Sequence, residues 1–271
     1  MVSFPNCKIN LGLYITNKRD DSYHNLETVF YPIPLRDVLE VVPAKSSEPE
    51  LHISGKAVAG NKEDNLVWRA YKLMQKTFGE RMPLLDIYLH KSLPMGAGLG
   101  GGSSDGAFML RLLNEYCKLS LSEEQLAAYA LQLGSDCPFF IYNTPQFAEG
   151  RGEQMEPVAI DLSGFSIQII CPQVHISTAK AFAMIKPQKA SYNLRELANL
   201  PVVEWRDQIS NDFEAAVFSQ HPQLADIKQQ LYNQGAIYAS MSGSGSAIYG
   251  LFSKGHQATI QSDTAFERFY V

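Results

Sequence analysis

Between residues 93 and 107 the chain reads Leu93-Pro94-Met95-Gly96-Ala97-Gly98-Leu99-Gly100-Gly101-Gly102-Ser103-Ser104-Asp105-Gly106-Ala107, and five of the seven residues from Gly96 to Gly102 are glycine. A backbone bare of Cβ atoms adopts positive φ without strain and can turn several N–H groups toward one anion. Just upstream, Leu85, Ile87 and Leu89 alternate with Asp86, Tyr88 and His90, the pattern of a half-buried strand. Just downstream, Ala107, Leu110 and Leu113 have helical spacing, and Ser103 or Ser104 is the expected N-cap. A helix N-terminus carries roughly half a positive elementary charge and unpaired N–H donors, so strand, glycine loop and helix together read as a cradle for a nucleotide triphosphate.

Two familiar glycine motifs do not account for it. No Lys followed by Ser or Thr closes the loop, so the Walker pattern is absent. Gly96 to Gly101 matches G-x-G-x-x-G, yet no strand-end acid follows about 20 residues on to hold a ribose. The plain alternative is a flexible surface loop, against which the ordered flanks weigh.

The formal net charge of −5 gives no basic surface for duplex nucleic acid. No run of apolar residues is long enough to span a bilayer and Met1 to Lys8 has no signal-peptide core, so a cytoplasmic protein without membrane contact is expected. Cys7, Cys117, Cys137 and Cys171 lack metal-ligand or disulfide spacing and read as reduced thiols. With 271 residues, the chain suits one large domain or two packed ones. The expected division is near residue 155, giving 1–155 and 156–271.

Residues 2–16 read as a strand that places Lys8 and Asn10 on one face, since side chains repeat every second residue. A turn over 17–22 leads to Tyr23 and His24 and a second apolar run. A helix is predicted over 63–78. Ser122 to Gln125 is a capping box, and the helix it opens ends at Gly134. Asp136 follows, held in an apolar setting by Cys137-Pro138-Phe139-Phe140. Later come a capped helix near Ser177, an acidic-to-apolar helix over 211–219, another after Pro222, and a second Gly/Ser loop, Met241-Ser242-Gly243-Ser244-Gly245-Ser246, between two strands. Alone, that loop is an ordinary turn as readily as a site.

Three stretches, Lys8 to Leu13, Pro94 to Ser104 and Met241 to Gly245, resemble the ordered motifs of the galactokinase–homoserine kinase–mevalonate kinase (GHMP) superfamily and are spread over almost the whole chain. Within it, Asp21-Ser22-Tyr23-His24 is similar to a D-G-Y-H motif, and Gly134 to Phe140 to G-A/S-D-V/C-P-F-F. With the triple-glycine loop, these make the chain look most like the kinases of a diphosphocytidyl-methylerythritol in the non-mevalonate route to isoprenoid precursors. Phe147 to Gly152 also looks like that group's A-x-G-x-G-E-like strand pair. Ser22 departs from the usual Gly, and Gly106 from the usual Ala.

The resemblance implies an α+β fold. Its N-terminal domain resembles ribosomal protein S5, with a mixed sheet and a left-handed crossover; its C-terminal domain is ferredoxin-like, and the active site lies in the interdomain cleft. It also implies transfer of the γ-phosphoryl group of ATP, with Mg²⁺ on the phosphates and no nameable protein ligand, to the 2-hydroxyl of a cytidyl-diphosphate substrate. Asp136 matches the catalytic acid that accepts the hydroxyl proton, and Lys8 the lysine that draws charge off the transferred group. Asn10 would bond the hydroxyl region, Tyr23 and Phe182 would stack on cytosine, and His24 would read its edge. Gly243 and Gly245 would close the substrate side. Pro94, Met95, Gly96, Ala97, Gly98, Leu99, Gly100, Gly101, Gly102, Ser103 and Ser104 would wrap the ATP phosphates, with Asn65, Leu66 and Lys91 flanking adenine. A monomer or weak homodimer is expected. The rival readings are a mevalonate or homoserine kinase, a decarboxylase of the same fold, or a silent nucleotide-binding regulator; ordinary structural roles remain open for Asn10, His24 and Phe182.

Overall fold

The computed structural model describes residues 1–21 and 23–271; Ser22, in the stretch before Tyr23, lies outside the described residues. In chain order come Val2–Ser3 (β1), Asn6–Lys18 (β2), His24–Arg36 (β3), Val38–Pro43 (β4), Leu51–Gly55 (β5), Leu66–Phe78 (α1) and Leu85–Lys91 (β6). Gly101–Tyr116 (α2), Glu123–Leu131 (α3), Cys137–Tyr142 (α4), Gln146–Gly150 (β7), Gln154–Pro157 (β8) and Phe165–Pro172 (β9) follow. Thr178–Met184 (α5), Trp205–Gln208 (α6), Phe213–Gln220 (α7), Pro222–Asn233 (α8), Tyr238–Met241 (β10), Ile248–Ser253 (β11) and Phe266–Tyr270 (β12) complete the chain. The chain forms two compact units. One is Met1–Cys7, Pro34–Met95 and Gly100–Thr144; the other is Lys8–Ile33, Gly96–Leu99 and Pro145–Val271.

The first unit is a mixed sheet of order β1-β4-β6-β5 with helices α1 to α4. β4 runs antiparallel to β1 and β6, whereas β5 is parallel to β6. A parallel pair needs a crossover, and α1 supplies it. Val67, Trp68, Ala70, Tyr71 and Met74 form its buried side. The helix predicted over 63–78 begins at Leu66, because Asn65 caps it by accepting a hydrogen bond from Val67 N at 2.9 Å, and Lys62–Asp64 form a separate 3₁₀ turn. Gly106, on α2, has a packing reason: a Cβ there would lie 2.9 Å from the Leu66 Cβ.

Strand β6 alternates as the sequence predicts, with Tyr88 and His90 exposed, except at Asp86. That carboxylate is buried and accepts the backbone N–H groups of Lys45 and Glu50, which fastens the loop before β5. The capping box is present, with Ser122 and Gln125 each bonding the other's backbone. α2 starts earlier than expected. Gly100 is its N-cap in the left-handed region, at φ 71°, and Ser103 and Ser104 lie inside the first turn.

The second unit holds two sheets, β2-β3-β7-β8 and the antiparallel β10-β11-β9-β12, with helices α5 to α8. Its core joins Leu13 and Ile15 of β2 to Phe213 and Val217 of α7, Leu224 and Ile227 of α8, and Met241 and Ile248 of the last sheet. β2 is buried on both faces from Asn6 to Ile15, so Lys8 and Asn10 are interior residues. Among the described residues no helix is long and apolar enough to cross a membrane.

Candidate active site

The glycine loop runs from the end of β6 to the start of α2. Its alternate glycines, Gly96, Gly98 and Gly100, have φ of 68°, 78° and 71°, which residues with a Cβ rarely adopt. Beside it the first unit has a cavity of about 150 Å³ lined by Asn65, Leu66, Leu89, Lys91, Met95 and Gly102, among others. Asn65, Leu66, Lys91 and Met95 thus meet at one cavity of the first unit. The Lys91 ammonium itself is turned inward to Asp37 and Asp105. Burial outweighs the pull of that ammonium, and with the neighbouring Asp37 it pushes the Asp105 carboxyl up to about 7.

Asp136 stands at the start of α4, half-buried, and is followed by Cys137 and Pro138. Burial pushes the Cys137 thiol up to about 12, although a hydrogen bond with Ser103 opposes this; at neutral pH it is a protonated thiol and no nucleophile. Through that bond, the residue next to Asp136 touches the first turn of α2. The sequence indicates the acid, but gives no sign of the Ser103–Cys137 contact that places it beside the glycine-loop helix.

In the second unit a single network ties the three motifs. Lys8 donates from Nζ to Asn10 Oδ1 at 2.5 Å, and its ammonium lies 5.1 Å from the Phe30 ring centroid. Asn10 donates from Nδ2 to Thr28 Oγ1 at 2.9 Å, and Thr28 donates to the Gly12 carbonyl. The amide of Asn10 is thereby oriented, and its oxygen faces Lys8. The backbone N–H of Asn10 bonds the Ser242 hydroxyl, which donates to the Gly98 carbonyl at 2.9 Å.

The first motif and the segment that carries the third both clasp the glycine loop directly. Lys8 N donates to Leu99 O and Ala247 N to Ala97 O. A Cβ on Gly98 would run into the Ser242 carbonyl oxygen, and one on Gly243 would sit 3.4 Å from Gly98 Cα. Asn211 holds the clasp in shape, with Nδ2 donating to Met241 O at 2.8 Å and Gly243 O at 2.9 Å. Thr28, Asn211 and Ser242 act over long sequence separations, and of the three only Ser242 lies in a motif that the sequence marks.

The other residues expected on the substrate side also belong to this unit. His24 stacks on Phe182 with centroids 5.1 Å apart and planes 19° apart, and Phe182 meets Phe213 edge-on. Tyr23 is 58% exposed. The Arg151 guanidinium lies 5.4 Å from its ring centroid, and Asp21 accepts its backbone N–H. Asp21 also accepts from Arg19, which stiffens this turn. Gly245 borders Ile176 and Met241, while Ser244, between the two glycines, bonds Thr178.

Residues 65–144 match the model of the GHMP kinases N terminal domain, and residues 193–266 that of the GHMP kinases C terminal. The chain is 55% identical to the 4-diphosphocytidyl-2-C-methyl-D-erythritol kinase of Bacteroides thetaiotaomicron, over 93% of this chain and 92% of that one. It is 44% identical to the Cytophaga hutchinsonii enzyme of the same name, over 93% and 92%. A crystal structure of 4-(cytidine 5'-diphospho)-2C-methyl-D-erythritol kinase superposes with a TM-score of 0.79 at 30% identity, covering 93% of this chain and 90% of that one. The Methanococcus jannaschii mevalonate kinase shares the fold, with a TM-score of 0.72 at 14% identity over 94% and 92%. The chain belongs to the GHMP kinases, which are ATP-dependent small-molecule kinases, and within them to the family of 4-diphosphocytidyl-2-C-methyl-D-erythritol kinases.

Proposed function

We propose that the chain transfers the γ-phosphoryl group of ATP to the 2-hydroxyl of 4-diphosphocytidyl-2-C-methyl-D-erythritol, giving the 2-phosphate and ADP, with Asp136 and Lys8 as the catalytic residues. The observation that carries this reading is the Lys8–Asn10–Ser242–Gly98 network, which ties an interior ammonium to the glycine loop. A buried lysine held so close to a phosphate-binding backbone serves group transfer, since phosphoryl transfer is a matter of positioning and charge stabilisation.

Asp136 accepts the hydroxyl proton as the new P–O bond forms and makes that proton acidic. Lys8 draws negative charge off the transferring group, and Asn10 orients Lys8 as well as the hydroxyl. Backbone N–H groups from Gly96 to Ser104 receive the phosphates at the positive end of α2. Mg²⁺ would be supplied with ATP and would offset phosphate charge beside the backbone N–H groups of Gly96 to Ser104. Pro94 and Met95 lead into this cradle, and adenine occupies the cavity beside Asn65, Leu66 and Lys91. On the acceptor side Tyr23 offers its open ring to cytosine, with Arg151 behind it. His24 and Phe182 complete the pyrimidine pocket, and Gly243 and Gly245 line the acceptor.

Residues 1–155 carry the ATP-binding half and residues 156–271 the second kinase domain, a division supported by family matches on either side of it. The enzyme works in the cytoplasm as a monomer or weak homodimer.

ADP release from MgATP is the test, with the cytidyl alcohol, mevalonate and homoserine as acceptors. Turnover is expected with the first alone. Asp136→Asn is expected to lower kcat by about 10²–10⁴-fold, the usual worth of a general base, while ATP binding persists. Release with mevalonate or homoserine instead would keep the superfamily and reject this acceptor.

A further inference from the structure

Asp37 lies in the single-residue gap between β3 and β4, far in sequence from any of the three motifs, and is completely buried. One carboxylate oxygen accepts the backbone N–H groups of Ser92 at 2.6 Å and Leu93 at 2.9 Å, the first residues of the glycine loop. The other accepts from the Lys91 ammonium, at the end of β6. Lys91, 1% exposed, also donates to Asp105 Oδ2 at 2.6 Å, in the early turns of α2. The cluster sits directly under the start of that helix: a Cβ on Gly101 would lie 3.5 Å from Lys91 Nζ and 3.9 Å from Asp37 Oδ2.

Burying two carboxylates and an ammonium is costly, and replacement by neutral groups of similar size is often neutral or stabilising, so fold stability alone is a weak reason for the cluster. What it does achieve is geometric. The loop's entry is held by Asp37, its exit by Asp105, and Lys91 joins the two. A glycine-rich backbone left to itself samples many conformations, and each unheld glycine adds to the entropy lost on binding an anion.

We propose that Asp37 is a positioning residue for ATP: acting through Lys91 and Asp105, it fixes the span between the end of β6 and the start of α2 and so pre-forms the glycine loop. Asp37 does this without lining the cavity beside the loop, whereas Lys91 and Asp105 do line it. The inference rests on the reading of the glycine loop as the ATP-phosphate cradle.

The test is steady-state kinetics of Asp37→Asn, which keeps one oxygen for the Ser92 and Leu93 N–H groups and replaces the other by a donor that cannot accept from Lys91. The ATP KM is expected to rise about tenfold, with kcat and the acceptor KM within about threefold, because tenfold corresponds to about 1.4 kcal/mol of lost preorganisation. An unchanged ATP KM, or an equal deterioration of all three constants, overturns the proposal. Should this variant fail to fold, amide exchange on the unaltered protein carries the test. Amide hydrogen exchange on the unaltered protein gives an independent reading: Ser92 and Leu93 are expected to be protected before MgATP is added, and fast exchange there overturns the strut. Wild-type protein that binds no MgATP would reject the cradle itself, whereas wild-type turnover beside a normal Asp37→Asn would reject only the role of Asp37.

Discussion

Lys8 and Asp105 are both ionisable side chains held inside the fold. Lys8 is interior, with its ammonium directed by Asn10 and set over Phe30. Lys8→Met keeps the chain length and removes the charge. It is expected to lower kcat by about 10²–10³-fold, the scale of losing one preorganised electrostatic donor, as read by ADP release at saturating substrates. Asp105 makes a different prediction. Its carboxyl titrates near 7 in the folded protein against about 3.9 unfolded, so the folded state binds the proton more tightly. Its contribution to stability is therefore full below about pH 4 and is lost as pH rises toward about 7. In urea titrations, Asp105→Asn is expected to flatten that part of the pH–stability curve relative to wild type; parallel curves would refute it. Buried polar residues differ in how visible they are in the sequence. Lys8, Asn10 and Asp136 stand out as candidates because each sits in a short motif. Asp37 does not, for an isolated acid between two strands looks like a turn residue until Ser92 and Leu93 are seen to donate to it.

At the scale of elements, local periodicity served well where a single segment decides its own structure. The alternation of Leu85, Ile87 and Leu89 and the Ser122 capping box both appear as read. The start of α2 did not follow the serine rule, because Gly100 turns left-handed and lets the helix begin before Ser103. The third glycine motif was ambiguous in sequence and becomes specific through tertiary contact. Ser242, Ala247 and Asn211 make it a clasp rather than a hairpin turn. Gly98→Ala is consequently expected to abolish turnover, since its Cβ meets the Ser242 carbonyl and its backbone has positive φ. Gly106→Ala, at the α1–α2 contact, is expected to lower stability by about 1–3 kcal/mol with only a small change in kcat. Thermal unfolding beside an activity assay separates the two: similar stability losses with similar rates would contradict the assignment of Gly98 to the loop and Gly106 to packing.

At the scale of the whole molecule, Lys8 belongs to one compact unit and Asp136 to the other. Their proposed cooperation is a matter for kinetics: the double variant Lys8→Met/Asp136→Asn is expected to lose much less than the product of the single losses, as residues acting as a unit do. Fully multiplicative losses would separate their roles. The clasp also has a consequence for how the chain comes into being. A ribosome releases Gly96–Leu99 long before Ser242 and Ala247, so the nascent glycine segment has no clasp for the intervening stretch of synthesis. Its final hydrogen bonds close only once Ser242 and Ala247 have emerged. A product ending before Ser242 thus keeps the glycine sequence without the clasp that sets its shape, so the form of this segment depends on residues 144 positions further along the chain.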